Sequence, residues 1–154
     1  MPTCCFVSDL HGRHDRYEKL FNVLGADTPD AVFLGGDLLP LAHAAPPDGK
    51  RLPPDFFRDY LAVACRDLRR KLGAGYPRIF LILGNDDPRA EEVPVGEGES
   101  EGLWTYLHGR RATLAGYDLY GYAHVPPTPF RLKDWERYDV GRYTPHGSVS
   151  PEEG

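Results

Sequence analysis

Three short apolar runs in this 154-residue chain each stop abruptly at a group of metal-ligating or turn-forming side chains. Cys4, Cys5, Phe6 and Val7 lead into Asp9 and His11; Ala31 to Leu34 lead into Gly36 and Asp37; Ile79 to Leu83 lead into Gly84, Asn85, Asp86 and Asp87. Between the runs, Tyr17, Leu20, Phe21 and Leu24 recur at helical spacing, as do Phe56, Tyr60, Val63, Ala64 and Leu68. Strands that alternate with helices pair in parallel, because a parallel neighbour needs a crossover long enough to hold a helix. The polar residues just past the carboxyl ends of such strands then converge, and there open α/β sheets bind their ligands.

The pattern predicts a first helix from about Arg13 to Leu24, closed by Gly25, and a second that begins near Phe56 and ends near Gly73. Ile79 to Leu83 is continuously apolar, as expected of a parallel strand covered on both faces. Beyond Asp87 the pattern changes. The acidic, Gly-rich stretch from Glu91 to Gly102 reads as a solvated loop. Ala112 to Ala115 and Asp118 to Tyr122, flanking Gly116 and Tyr117, read as a hairpin. From Val125 onward the prolines at 126, 127, 129, 145 and 151 predict an extended tail, poorly ordered near its end. The Pro-rich segment Leu39 to Pro54 follows Asp37 and reads as a long loop over the site. The length suits a single domain over 1–154.

A formal charge of −5 and a pI near 5.6 give no general attraction to nucleic acid or to an anionic membrane, although a metal site attracts phosphate locally. The cysteines are odd in number, and Cys4 and Cys5, adjacent on a strand, point to opposite faces, so no disulfide framework is expected. The N-terminal apolar run is too short for a signal peptide and no later run approaches a membrane span. The expected location is cytoplasmic.

Taken singly, an aspartate after a strand is commonly a cap or turn residue, and Gly36 or Gly84 an ordinary turn glycine. Taken together, carboxylate, imidazole and amide groups at three neighbouring strand ends are what a metal centre needs. Asp9 and His11 lie two positions apart, and the period of an extended chain turns both to one side. Mixed nitrogen and oxygen ligation favours manganese, iron, cobalt, nickel or zinc.

The order Asp-x-His, Gly-Asp, Gly-Asn resembles the calcineurin-like metallophosphoesterase family. The resemblance covers the chain to about Asp87. It implies a layered α/β sandwich with two central sheets, of which only the N-terminal portion would be complete here. It implies hydrolysis of a phosphoester by a metal-bound hydroxide at a dinuclear site, with Asp9, His11 and Asp37 on the first divalent ion, and Asp37 and Asn85 on the second. Asp86 stands where the commonest family form has a histidine that helps to protonate the leaving group; an aspartate serves there if burial or neighbouring charge raises its pKa. Arg13 is a candidate phosphate contact. His14 and Asp87 read as helix-start or surface groups.

The later family motifs Gly-His and Gly-His-x-His do not occur. His124 and His146 lack a second histidine two positions on, and His108, near Trp104 and Leu107, reads as a packing or surface residue. Three readings stay open: an enzyme completed by its own residues, a truncated and catalytically weak relative acting as a binding module, or a site finished by a homo-oligomer or partner chain. The phosphoester itself, whether nucleotide, phosphoprotein or another small molecule, is not selected by any residue.

Overall fold

A computed structural model describes residues 1–41, 49 and 53–154. Of the loop expected over Leu39 to Pro54, residues 42–48 and 50–52 therefore lie outside the described residues. Strands β1 (Cys4–Val7), β2 (Ala31–Gly35), β3 (Arg78–Ile82) and β4 (Thr105–Tyr106) form one sheet in that order, every pair parallel. The register places Phe6 opposite Phe33 and Phe33 opposite Phe80, so the ends that carry the polar clusters lie side by side.

The crossovers are helical. α1 (His14–Asp27) joins β1 to β2, and α2 (Ala62–Leu72), entered through a π-helical turn at Phe57–Leu61, precedes β3. Tyr17, Leu20 and Leu24 of α1 share a core with Phe57, Leu61, Cys65 and Leu68 and with Val32, Leu34, Ile79 and Leu81 from the sheet. Burying each of the larger side chains is worth about 1.5–3 kcal/mol. Of the residues expected on the inward stripe, Phe56 and Leu68 are buried but Val63 is 42% exposed, and Leu61 and Cys65 complete the buried face. Nor does Gly25 end α1. The helix continues to Asp27 and stops at Thr28, whose φ of 42° is left-handed and whose N–H bonds the Leu24 carbonyl at 3.2 Å. A Cβ at Gly25 would crowd only the flexible end of Lys71, 2.8 Å from its Nζ, so the glycine is not needed for helix packing there.

The opposite face of the sheet is covered by a hairpin of β5 (Arg111–Leu114) and β6 (Tyr117–Tyr120), joined by Ala115 and Gly116 at φ 49° and 85°. Positive φ at both central residues is the two-residue turn whose twist matches that of the strands. Leu114 packs with Ala31, Phe80 and Leu107, flanked by Phe33, Ala112 and Leu119. Cover declines toward β1: Phe80 is 1% exposed, Phe33 partly buried and Phe6 69% exposed.

Two expectations beyond Asp87 are overturned. Glu91 to Gly102 is not a solvated loop, since α3 (Glu92–Ser100) occupies most of it. Pro94 sits in the first turn, where a missing N–H costs nothing. Gly98 admits the Trp104 ring, whose nearest carbons would lie within 2.6 Å of a Cβ there, and Trp104 Nε1 donates to the Val95 carbonyl at 2.9 Å. The glutamates are held by arginines of other segments: Glu97 by Arg58, Glu101 by Arg66 at 2.7 Å, Glu99 by Arg110 at 2.7 Å. The tail from Val125 is likewise anchored, although little of it is regular. Trp135 is fully buried, and the buried Glu136 carboxylate pairs with Lys133 Nζ at 2.7 Å and accepts from Thr128 N at 2.9 Å. No helix among the described residues is long and apolar enough to cross a membrane.

Candidate metal centre

β1 ends at Val7, and the chain that follows does not stay extended. Asp9 and His11 both occupy the left-handed region, at φ 56° and 47°, as does Asp37 at 53°. The expected period-two geometry is thus replaced by two left-handed residues. The reason lies in the hydrogen bonds that prolong the β1–β2 ladder past the strands: Asp9 N donates to the Gly36 carbonyl at 3.1 Å, His11 N to Asp37 at 2.8 Å and Gly12 N to Leu38 at 2.8 Å. Each left-handed non-glycine residue costs roughly 1 kcal/mol. Three of them at adjoining strand ends mark strain held by surrounding contacts.

One nitrogen of His11 and one carboxylate oxygen from each of Asp9 and Asp37 all lie within 4.8 Å of one another. His11 Nδ1 is shielded from solvent and has no hydrogen-bond partner, with Asp86 Oδ2 standing 4.0 Å away. Burial pushes the Asp37 carboxyl above its ordinary value and the Asp86 and Asp9 charges push the same way; the Asp86 N–H, donating to Asp37 Oδ1 at 3.0 Å, and His11 oppose the shift. An orphaned imidazole nitrogen beside crowded carboxylates is a donor set suited to a divalent transition-metal ion.

Asn85 and Asp86 come from the loop after β3. The Asn85 amide Nδ2 donates to Asp86 Oδ1 at 3.0 Å, leaving the amide oxygen as the group it can offer elsewhere. Gly84 makes the approach of this loop possible: a Cβ there would be 2.8 Å from the Asp37 carboxylate carbon and nearer still to Asp37 Oδ1 and N. Around the rim, Arg13 caps α1 and bonds both Asp15 oxygens, at 3.1 and 2.9 Å, while His14 pairs with Glu18 at 3.4 Å. The Asp9 carbonyl accepts from Arg16 Nη1.

Asp87 is neither a helix start nor a surface group. It is fully buried, and its carboxylate accepts from the N–H groups of Leu38, Leu39 and Gly84 at 2.8 to 3.1 Å. Burial pushes its carboxyl up, and those N–H groups oppose the shift. Asp87 directly follows the Asn85-Asp86 pair, which was the available signal; nothing in the sequence around Trp135 pointed to the site.

His108 and His124 stand together, ring centroids 4.9 Å apart, against Trp135. His108 Nδ1 accepts from Ala123 N at 3.0 Å, and His124 lies between the Trp135 carbonyl, 3.2 Å from Nδ1, and Arg137, 2.9 Å from Nε2. Among the described residues the grouping of ligand atoms takes in neither of them, nor His146, which is exposed.

Carboxylate and imidazole groups gathered at the carboxyl ends of parallel strands form a candidate metal site on an α/β fold. The chain belongs to the calcineurin-like phosphoesterase family, whose model matches residues 3–150. A protein solved by crystallography superposes with a TM-score of 0.55 at 19% identity, over 90% of this chain and 60% of its own, a likeness of fold. The chain thus spans 60% of the length of that structure. No curated protein sequence matches it.

Proposed function

We propose that this chain is a metal-dependent phosphoester hydrolase acting through a dinuclear site. The observation that carries the reading is the convergence of Asp9, His11 and Asp37 within 4.8 Å in a member of this family. Asp9, His11 and Asp37 would hold one divalent ion, and Asp37 together with the Asn85 amide oxygen a second; manganese, iron, cobalt, nickel and zinc suit such donors. When bound, the ions acidify a water molecule and neutralise charge on the phosphoryl oxygens. Asp37 would be the residue common to both, and the neighbouring Asp9 carboxylate adds to the attraction for cations. Asp86, 4.0 Å from His11 and about one fifth exposed, would be the candidate donor of a proton to the leaving oxygen as the P–O bond breaks. Arg13, at the start of α1 and bonded to Asp15, would be a candidate cation for a phosphoryl oxygen.

The test is metal content after equilibration with manganese and removal of free ion, with hydrolysis of a nitrophenyl phosphomonoester and phosphodiester in parallel. Bound manganese together with hydrolysis that chelation abolishes supports the reading. A wild-type chain that retains no manganese overturns it.

A second reading, in which a second chain completes the site, is favoured by one observation. Phe6 is 69% exposed on β1, whose outer edge pairs with no strand among the described residues. Light scattering decides between them: manganese-loaded, active monomers exclude completion by a partner.

A further inference from the structure

Two loops carry the proposed ligands of the second ion, Gly36 to Leu39 after β2 and Gly84 to Asp87 after β3, and a single buried side chain ties them together. Asp87 Oδ1 accepts from Leu38 N and Leu39 N, both at 2.9 Å, and Oδ2 accepts from Gly84 N at 2.8 Å and Leu38 N at 3.1 Å. Leu38 directly follows Asp37, and Gly84 directly precedes Asn85. Converging N–H donors need an acceptor with two oxygens and no hydrogens, which an ionised aspartate is and an asparagine is not. With both oxygens engaged, Asp87 has nothing to offer an ion or a substrate.

The backbone of the same residue is fastened from the far end of the chain. Trp135 Nε1 donates to the Asp87 carbonyl at 2.7 Å, and the indole is fully buried, with the Arg89 guanidinium 5.3 Å from its centroid. Trp135 is held in turn, because Val125 N donates to its carbonyl and Arg137 N donates to that of Val125, both at 2.9 Å. The adjacent Glu136 is locked by Thr128 and Lys133.

We propose that Asp87 is a positioning residue, setting the separation of Asp37 and Asn85, and that Trp135 makes the proline-rich C-terminal segment part of the support of the metal centre. The inference rests on the reading of Asp37 and Asn85 as ligands. Asp87 itself touches neither metal nor substrate.

The experiment compares wild type, Asp87→Asn and Trp135→Phe by amide exchange of the metal-free proteins, followed by NMR, and by manganese titration well below the melting temperature. In Asp87→Asn, exchange at Leu38, Leu39 and Gly84 should accelerate at least about 10-fold while Val32, Leu34 and Leu81 in the sheet keep wild-type rates. Its manganese affinity should fall about 10- to 100-fold, as happens when a supporting partner of a ligand is lost. Trp135→Phe keeps an aromatic ring but removes the N–H together with part of the indole, so both readouts should move the same way, with wild-type exchange in the sheet showing that the lost packing has not spread; it decides the matter if Asp87→Asn does not fold. Wild-type exchange at the three amides, wild-type manganese affinity, or acceleration spread evenly through the sheet would each overturn the proposal. Failure of the wild-type protein to bind manganese would overturn the functional reading and this inference with it, whereas wild-type binding with unaltered variants overturns this inference alone.

Discussion

Replacing Gly84 by alanine puts a methyl group where the carboxylate of Asp37 now lies. The added carbon would stand 2.8 Å from Asp37 Cγ and closer still to its Oδ1 and backbone nitrogen, against an ordinary contact of 3.4 to 4 Å. The carboxylate carbon must retreat by the difference between 2.8 and 3.4 Å, and because a backbone atom is also met, a change of side-chain rotamer cannot supply it. Overpacking of this kind costs about 1–3 kcal/mol. At 2 kcal/mol the metal-free melting temperature should drop by roughly 4–8 °C for a chain of this size. Displacing a proposed bridging ligand should also weaken manganese binding about 10- to 100-fold. The control is Gly96→Ala within α3, where an added Cβ meets nothing within 4 Å. That change should raise stability by about 0.5–1 kcal/mol, since alanine loses less backbone freedom on folding. Differential scanning calorimetry and manganese titration of both variants provide the test. A Gly84→Ala protein that melts and binds manganese like the wild type would refute the idea that this close approach sets the position of Asp37.

Asp37→Asn should abolish hydrolysis and the thermal stabilisation by manganese. Because burial and neighbouring carboxylates raise the Asp37 pKa, its charge opposes the metal-free fold at neutral pH, so the metal-free variant should melt at or above the wild type. Lys133→Ala leaves the fully buried Glu136 without its cation and should cost on the order of 3 kcal/mol in urea unfolding. His108 and His124 are held below the ordinary imidazole value, chiefly by burial. A depressed folded pKa favours the neutral ring, so their contribution is present above pH 6.5 and is lost as pH falls through the folded values; melting temperatures from pH 7.5 to 5 should decline less in a His108→Phe, His124→Phe double variant.

The half of the chain that ends at Asp87 was readable because its apolar runs are parallel strands, and parallel strands deliver whatever follows them to one edge. Asp9, His11 and Asp37 needed no long-range information beyond that topology. Glu91 to Gly102 was misread because Gly96, Gly98 and the acidic run each favour a loop locally; Trp104 seated on Gly98 and the arginines facing the glutamates reverse that preference. The tail was misread for the same kind of reason. Its prolines exclude regular structure, yet Trp135 and the Glu136–Lys133 pair fix it by burial, which no local pattern announces. Asp87 looked like a helix-start or surface group beside Asn85 and Asp86, since the N–H donors that Leu38 and Leu39 bring from a distant loop leave no trace in the order of residues.

The left-handed backbone at Asp9, His11 and Asp37 sets stability against chemistry at the same three positions. Glycine or asparagine would relax each of them, so selection for heat resistance alone would enrich those residues there and erase the cation-binding group while the sheet, its helices and the hairpin remained intact. A chain of this architecture that carries acidic and imidazole side chains at all three turns therefore keeps them at a thermodynamic loss that its surrounding contacts hold and that the binding of a metal ion would offset.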